Sequence, residues 1–226
     1  MSSELSAALH DFAGADPAAA EELLALMSRV QLERGSVLFT QGDPGASMYV
    51  VAKGSLKITR ANVLDRPTIL AVLGPGDVFG EMSLLDANDR DATVTAVGPT
   101  TLLELSRARF DEELGRRPDL VRALLGHLAR RLRSSNDTVS DLVFADVPAR
   151  VARLVLRLGE RFGVANDEGA IVVDHQLTQA ELAQLVGSAR ETVNKALARF
   201  ANEGWIDVQQ RIITIRDRDR LRAFAA

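Results

Sequence analysis

The chain has 226 residues, 46% of them apolar, which is enough for two domains with packed cores. It has no cysteine, which excludes disulfides, cysteine-ligated iron–sulfur clusters and thiol catalysis, and its histidines (His10, His127 and His175) show no metal-ligand spacing, so no metal site is expected. The net charge of −4 hides an asymmetry: 15 Lys/Arg stand against 21 Asp/Glu through residue 146 and 12 against 10 beyond it, so the weakly basic part is C-terminal, a pointer to nucleic acid.

The N-terminus lacks a basic start and a signal-length apolar run, and no stretch approaches about 18 apolar residues, so a soluble cytoplasmic protein with no membrane partner is expected. Asp16 as N-cap and Pro17 at the first helical position open a helical pattern through about Val30. From Gly35 to about Leu105, short runs such as "VLFTQ", "MYVVAKG", "SLKITR" and "ATVTAV" alternate with turn signals such as "GDPG" and "GPGD". Six or more strands at that spacing predict an antiparallel barrel or jelly roll.

Beyond Ser106 the pattern is helical. Val121, Leu125, Leu128, Leu132, Ser135, Val139 and Leu142 recur at intervals of 4 and 3, a heptad seam. Such a helix either pairs with a second copy of itself or packs on its own barrel, where a broader stripe is usual. The polar seam position Ser135, followed by Asn136, either sets register or touches a ligand. In "FADVPAR", Pro148 disfavours helix at Val147 and starts the next one well, so the domain boundary is placed here. Val151, Leu154, Val155 and Leu158 form a core stripe on the helix from about Ala149 to Phe162.

Two helix starts lie ten residues apart, Thr178 with Glu181 and Ser188 with Glu191, each fitting a capping box. With Gly187 between them they predict a helix-turn-helix, whose second helix enters the DNA major groove. Leu182, Leu185, Val186, Val193, Leu197 and Phe200 form the buried side, leaving Arg190, Glu191, Asn194 and Lys195 outward. Arginine can donate twice to guanine and glutamate can accept from cytosine N4. The plainer alternative is a solvated face with a Glu191–Lys195 pair. Glu191 is claimed by both cap and base. "GWIDVQQRIITIRD" reads as two strands around a tight turn, a wing, with Trp205 in the core.

At this point "GDVFGEMSLLDANDRDATV", "ARRLRSSND", "FADVPARVARLVL" and "LTQAELAQLVGSARETVNKAL" together resemble the Crp/Fnr transcription regulators, and among them most closely the cyclic-AMP receptor proteins. The resemblance implies an α+β fold: a cyclic-nucleotide-binding β-barrel of jelly-roll type (1–110), a dimerisation helix (111–143) and a winged helix-turn-helix DNA-binding domain (144–226). It implies a homodimer on a near-palindromic operator of double-stranded DNA, with cyclic AMP as effector and RNA polymerase as a further partner. Gly80, Glu81, Met82, Ser83, Arg90 and Asp91 would line the ligand site. In it Gly80 offers an N–H, Glu81 accepts from the ribose 2′-hydroxyl and Arg90 binds the cyclic phosphate, while Ser135 and Asn136 meet the purine amino group. Thr178, Gln179, Ser188, Arg190, Glu191, Thr192, Asn194 and Lys195 would face DNA, with Lys195 in place of a commoner arginine.

One departure stands out. The family places serine or threonine after the arginine, and this chain has Asp91. Charged hydrogen bonds from Arg90 supply about 1.5–3 kcal/mol, and a carboxylate about 4 Å from a phosphate opposes them by about 4 kcal/mol at an effective dielectric near 20. Three outcomes are open: Asp91 faces solvent or salt-bridges elsewhere, the pocket binds cyclic AMP weakly, or the effector is something else or absent. Glu81 and Arg90 could also form a purely structural ion pair. No nucleophile–base constellation or phosphate loop points to an enzyme.

Overall fold

Short alternating runs between turn signals become eight strands in the computed structural model, which describes residues 25–61 and 67–225: β1 (Ser28–Leu32), β2 (Val37–Phe39), β3 (Ser47–Lys53), β4 (Leu56–Ala61), β5 (Pro67–Leu73), β6 (Val78–Phe79), β7 (Thr93–Ala96) and β8 (Thr100–Ser106). They form two four-stranded antiparallel sheets, ordered β1-β8-β3-β6 and β2-β7-β4-β5. Two facing sheets make a jelly roll and not a closed barrel. The helix expected from Asp16 falls largely outside the described residues, and its last positions, Ser28 to Val30, are strand, drawn into pairing with β8.

The pleat explains why β3 is apolar on both faces. Tyr49 and Val51 point between the sheets, where Leu56, Phe79, Val94 and Leu102 meet them, while Met48 and Val50 point the other way. That outer face is covered by α1 (Met82–Asp86), α2 (Arg107–Arg116) and the first half of α3 (Pro118–Phe144), through Leu84, Phe110, Leu120 and Leu124. Burying each such side chain contributes about 1.5–3 kcal/mol.

The long helix packs on its own sheet along one face and leaves its heptad seam uncovered on another. Leu120 and Leu124, with Leu128 partly buried beside them, pack on the sheet, whereas the seam residues Leu125 (61% exposed), Leu132 (63%), Val139 (60%) and Leu142 (51%) are left uncovered.

The chain divides into two compact units, 1–134 and 135–226, so the last turns of α3 belong to the second unit. Asp141 explains this locally: it pairs with Arg153 and, at 3.5 Å, with Arg157 of α4 (Val147–Phe162). The Asp146 carboxylate accepts from Ala149 N at 2.8 Å and caps α4, with Pro148 in its first turn. A sheet ordered β11-β12-β10-β9 completes the second unit: the hairpin β9 (Gly163–Ala165) and β10 (Ile171–Asp174), which the sequence pattern did not signal, and the expected wing, β11 (Ile206–Gln209) and β12 (Ile212–Ile215). Around it lie α5 (Gln179–Val186), α6 (Arg190–Asn202) and α7 (Arg218–Ala225). Trp205 stacks on Phe200 at 5.4 Å, a core contact as expected. Among the described residues no helix is long and apolar enough to cross a membrane.

Candidate functional site

Two buried, oppositely charged side chains lie nine residues apart beside the sheet edge made by β6. Glu81 is fully buried and Arg90 is 5% exposed. The chain reaches Glu81 through Gly80, which has φ +80, and a Cβ there would lie 2.8 Å from Arg90 Nη1 and 3.1 Å from the Ser47 carbonyl. Only glycine fits both the backbone angle and the space. Arg90 Nη1 donates to the Gly80 carbonyl at 2.8 Å and Nη2 to that of Ser47 at 2.7 Å, and the guanidinium lies over the Phe39 ring at 4.2 Å. Its Nε is buried without a partner. Burial pulls the Arg90 pKa down, while Tyr49 and Glu81 pull it up; the group stays a cation.

Backbone bonds fix the loop that carries the arginine: Arg90 N donates to the Asp43 carbonyl and Gly42 N to the Arg90 carbonyl, both at 2.8 Å. Arg107 fixes the neighbouring α1 turn by donating to the carbonyls of Gly45, Ser83 and Leu84. Ser83 is buried against Gly45, and Met82 is exposed.

Glu81 does not pair with Arg90. Its Oε1 accepts from Arg131 Nη1 of α3 at 2.6 Å, with His127 Nε2 3.8 Å away, and its Oε2 is buried with no partner. Burial lowers the His127 pKa, against the pull of Glu81, so at neutral pH Arg131 is the cation holding this carboxylate. Arg131 and His127 were missed as pocket residues: His127 was read only as a histidine without metal-ligand spacing, and Arg131 only within the run "ARRLRSSND". They lie four apart, one helical turn, and that spacing was the available signal. Asp91 takes the first of its three open outcomes: it is half-exposed and its Oδ1 lies 3.1 Å from Arg60 Nη2. Gly80, Glu81, Ser83 and Arg90 are thus brought together, and Asp91 turns away. Ser135 and Asn136 are exposed on α3 and begin the second unit.

In the second unit the first capping box forms as expected: Thr178 N donates to Glu181 Oε2 at 2.7 Å and Glu181 N to Thr178 Oγ1 at 3.2 Å. Gly187, at φ +68, closes α5. The second box does not form. The N-cap of α6 is Ala189, without a side-chain cap bond, because Ser188 N is spent on the Ala183 carbonyl and the helix starts one residue later. Glu191 is thereby released from the cap. Val193, Ala196, Leu197 and Phe200 are buried, so Arg190, Glu191, Thr192 and Lys195 stand exposed on the opposite face. Asn194 is half-buried, and its Oδ1, like Oε1 of Gln179, has no partner.

Two family models match the two units. Residues 29–117 match the cyclic nucleotide-binding domain, and residues 149–224 match the Crp-like helix-turn-helix domain. The chain is 41% identical over 210 residues to a CRP-like cAMP-activated global transcriptional regulator of Mycobacterium tuberculosis, covering 93% of each, and 34% identical over 206 residues to the cyclic AMP receptor protein of Thermus thermophilus, covering 91% of this chain and 92% of that one. The fold superimposes on a solved CRP/FNR-family transcriptional regulator from Thermus thermophilus with TM-score 0.73 at 27% identity, covering 88% of this chain and 98% of that one. A cyclic nucleotide-binding fold and a Crp-like reading helix in one chain, together with full-length identity of this order, place the protein in the Crp/Fnr family of transcription regulators.

Proposed function

We propose that the protein is a cytoplasmic homodimer that binds a near-palindromic DNA operator under the control of cyclic AMP. The observation that carries the effector assignment is the pair Glu81 and Arg90: both are buried, they do not neutralise each other, and each keeps a polar atom without a partner. A buried guanidinium with no carboxylate partner and a buried carboxylate with one oxygen unpartnered are costly to keep, which fits a ligand having both an acceptor-seeking hydroxyl and an anion. In this reading Arg90 receives the cyclic phosphate, Gly80 offers its N–H, and Ser83 lies at the buried turn between them. Glu81 accepts the ribose 2′-hydroxyl on Oε2 while Arg131 keeps Oε1. Ser135 and Asn136 supply the purine contacts. The uncovered seam of α3 supports pairing with a second copy, and Arg190, Glu191 and Lys195 read base edges from α6, with Thr178, Gln179, Ser188, Thr192 and Asn194 around them. RNA polymerase is the proposed further partner of the DNA-bound dimer.

Isothermal titration with cyclic AMP and cyclic GMP tests the effector. Wild type binds cyclic AMP, and Arg90→Ala weakens it by about 10-fold to 150-fold, the loss of about 1.5–3 kcal/mol of charged hydrogen bonding. Heat that appears only in Asp91→Ser, with wild type silent, would overturn cyclic AMP as the natural effector.

A further inference from the structure

An acidic residue directly after the buried arginine needs something to restrain it. Arg90 and Asp91 are adjacent in the chain but have opposite surroundings, one buried on the sheet edge and the other half-exposed at the surface. The acid is met there by Arg60, 3.1 Å away and equally exposed.

Arg60 is delivered to that place by strand register. β4 pairs with β7 so that Thr59 faces Thr93, which carries the next residue of β4 alongside the segment that enters β7. Two further bonds tie the same corner: Ala61 N donates to Gln41 Oε1 at 3.1 Å, and Gln41 N donates to Thr93 Oγ1 at 2.9 Å. An ion pair this exposed adds little to stability. Its effect on a neighbouring anion is another matter, because it cancels a negative charge one residue from Arg90 and fixes that charge on the outer side of the chain.

We infer that Arg60 is a positioning residue for the anion seat: it holds Asp91 outward, so that the buried guanidinium of Arg90 meets an incoming phosphate without competition from the protein's own carboxylate. This rests on the nucleotide reading above and adds to it a residue outside the pocket that governs its affinity. Asp91 without Arg60 is an uncompensated charge that repels the ligand, and it is also free to turn toward the unpartnered Nε of Arg90.

The experiment is a double-mutant cycle in the full-length protein, with cyclic AMP titrated into wild type, Arg60→Ala, Arg60→Lys, Asp91→Asn and the Arg60→Ala/Asp91→Asn double variant. Arg60→Ala weakens binding by about five-fold at low salt, equivalent to one charge pair about 4 Å apart in water. Arg60→Lys stays close to wild type, since it keeps the cation. In the Asp91→Asn background the loss of Arg60 has no effect, a dependence that a merely structural role for Arg60 would not produce. The five-fold effect also fades near 1 M salt, where the screening length is about 3 Å. Wild-type binding that Arg60→Ala leaves unchanged, or weakens equally with Asn at position 91, overturns the inference alone. Absence of binding by wild type overturns the nucleotide reading, and the inference with it.

Discussion

Thr178 and Ser188 show how far a local motif can be trusted. Both precede a glutamate by three residues, and only Thr178 closes its reciprocal bonds. Thr178→Ala is therefore expected to cost about 0.5–2 kcal/mol of the second unit's stability, and Ser188→Ala much less; Ala189→Ser should add stability at the vacant cap. Urea unfolding of the three variants checks this. His175 offers a pH test at the same scale. It is buried where β10 leads into α5, its Nδ1 accepts from Leu177 N at 3.1 Å, and its Nε2 has no partner. Burial depresses its pKa below the ordinary 6.5, despite Asp174 and Glu181 nearby. The folded state then resists a proton that the unfolded state accepts, so this contribution is present above about pH 6.5 and falls as the pH drops below it. Urea midpoints should fall between pH 7.5 and 5.5, and His175→Gln should flatten that fall.

At the scale of the element, the long helix separates its tasks by face. The heptad seam and the sheet-packing stripe Leu120–Leu124 are offset around α3, with Leu128 partly shared, so one helix can anchor to its own sheet and still present an apolar ridge. Leaving Leu125, Leu132, Val139 and Leu142 in water is costly without a covering partner. Leu132→Asp or Val139→Asp is expected to turn a dimer into monomers in sedimentation experiments at micromolar concentration while leaving far-UV circular dichroism unchanged. The recognition helix was legible for the same reason: Val193, Leu197 and Phe200 at spacings of 4 and 3 assign its buried face, and the exposed residues are found by subtraction. The hairpin β9–β10 was not legible, because Gly163–Ala165 is too short for periodicity and becomes a strand only by pairing with β10.

At the scale of the molecule, the two units share α3 in sequence, the division falling between Ser134 and Ser135 within that helix. In a homodimer the two α6 helices must meet successive major grooves about 34 Å apart. Adding about 5 bp between the half-sites of a selected operator, half a DNA turn, is expected to reduce affinity to the non-specific level in a fluorescence-anisotropy titration, whereas about 10 bp restores the groove phase. Arg190→Ala should cost about 1–3 kcal/mol on the intact site and relax base preference at one position of each half-site.

Periodicity and punctuation were sufficient for most strands of the jelly roll beyond β1, the heptad helix, a helix break just ahead of Pro148 (although Val147, expected outside the helix, is its first residue), the first capping box and the wing, since each depends on residues within a few positions of one another. Tertiary structure alone decided the charges. Asp91 is paired at the surface with Arg60, thirty-one positions earlier, and Glu81 is engaged by Arg131, fifty positions later. The direction a buried or half-buried charge faces depends on which oppositely charged group the fold carries within about 4 Å of it, and residue spacing along a chain does not encode that distance.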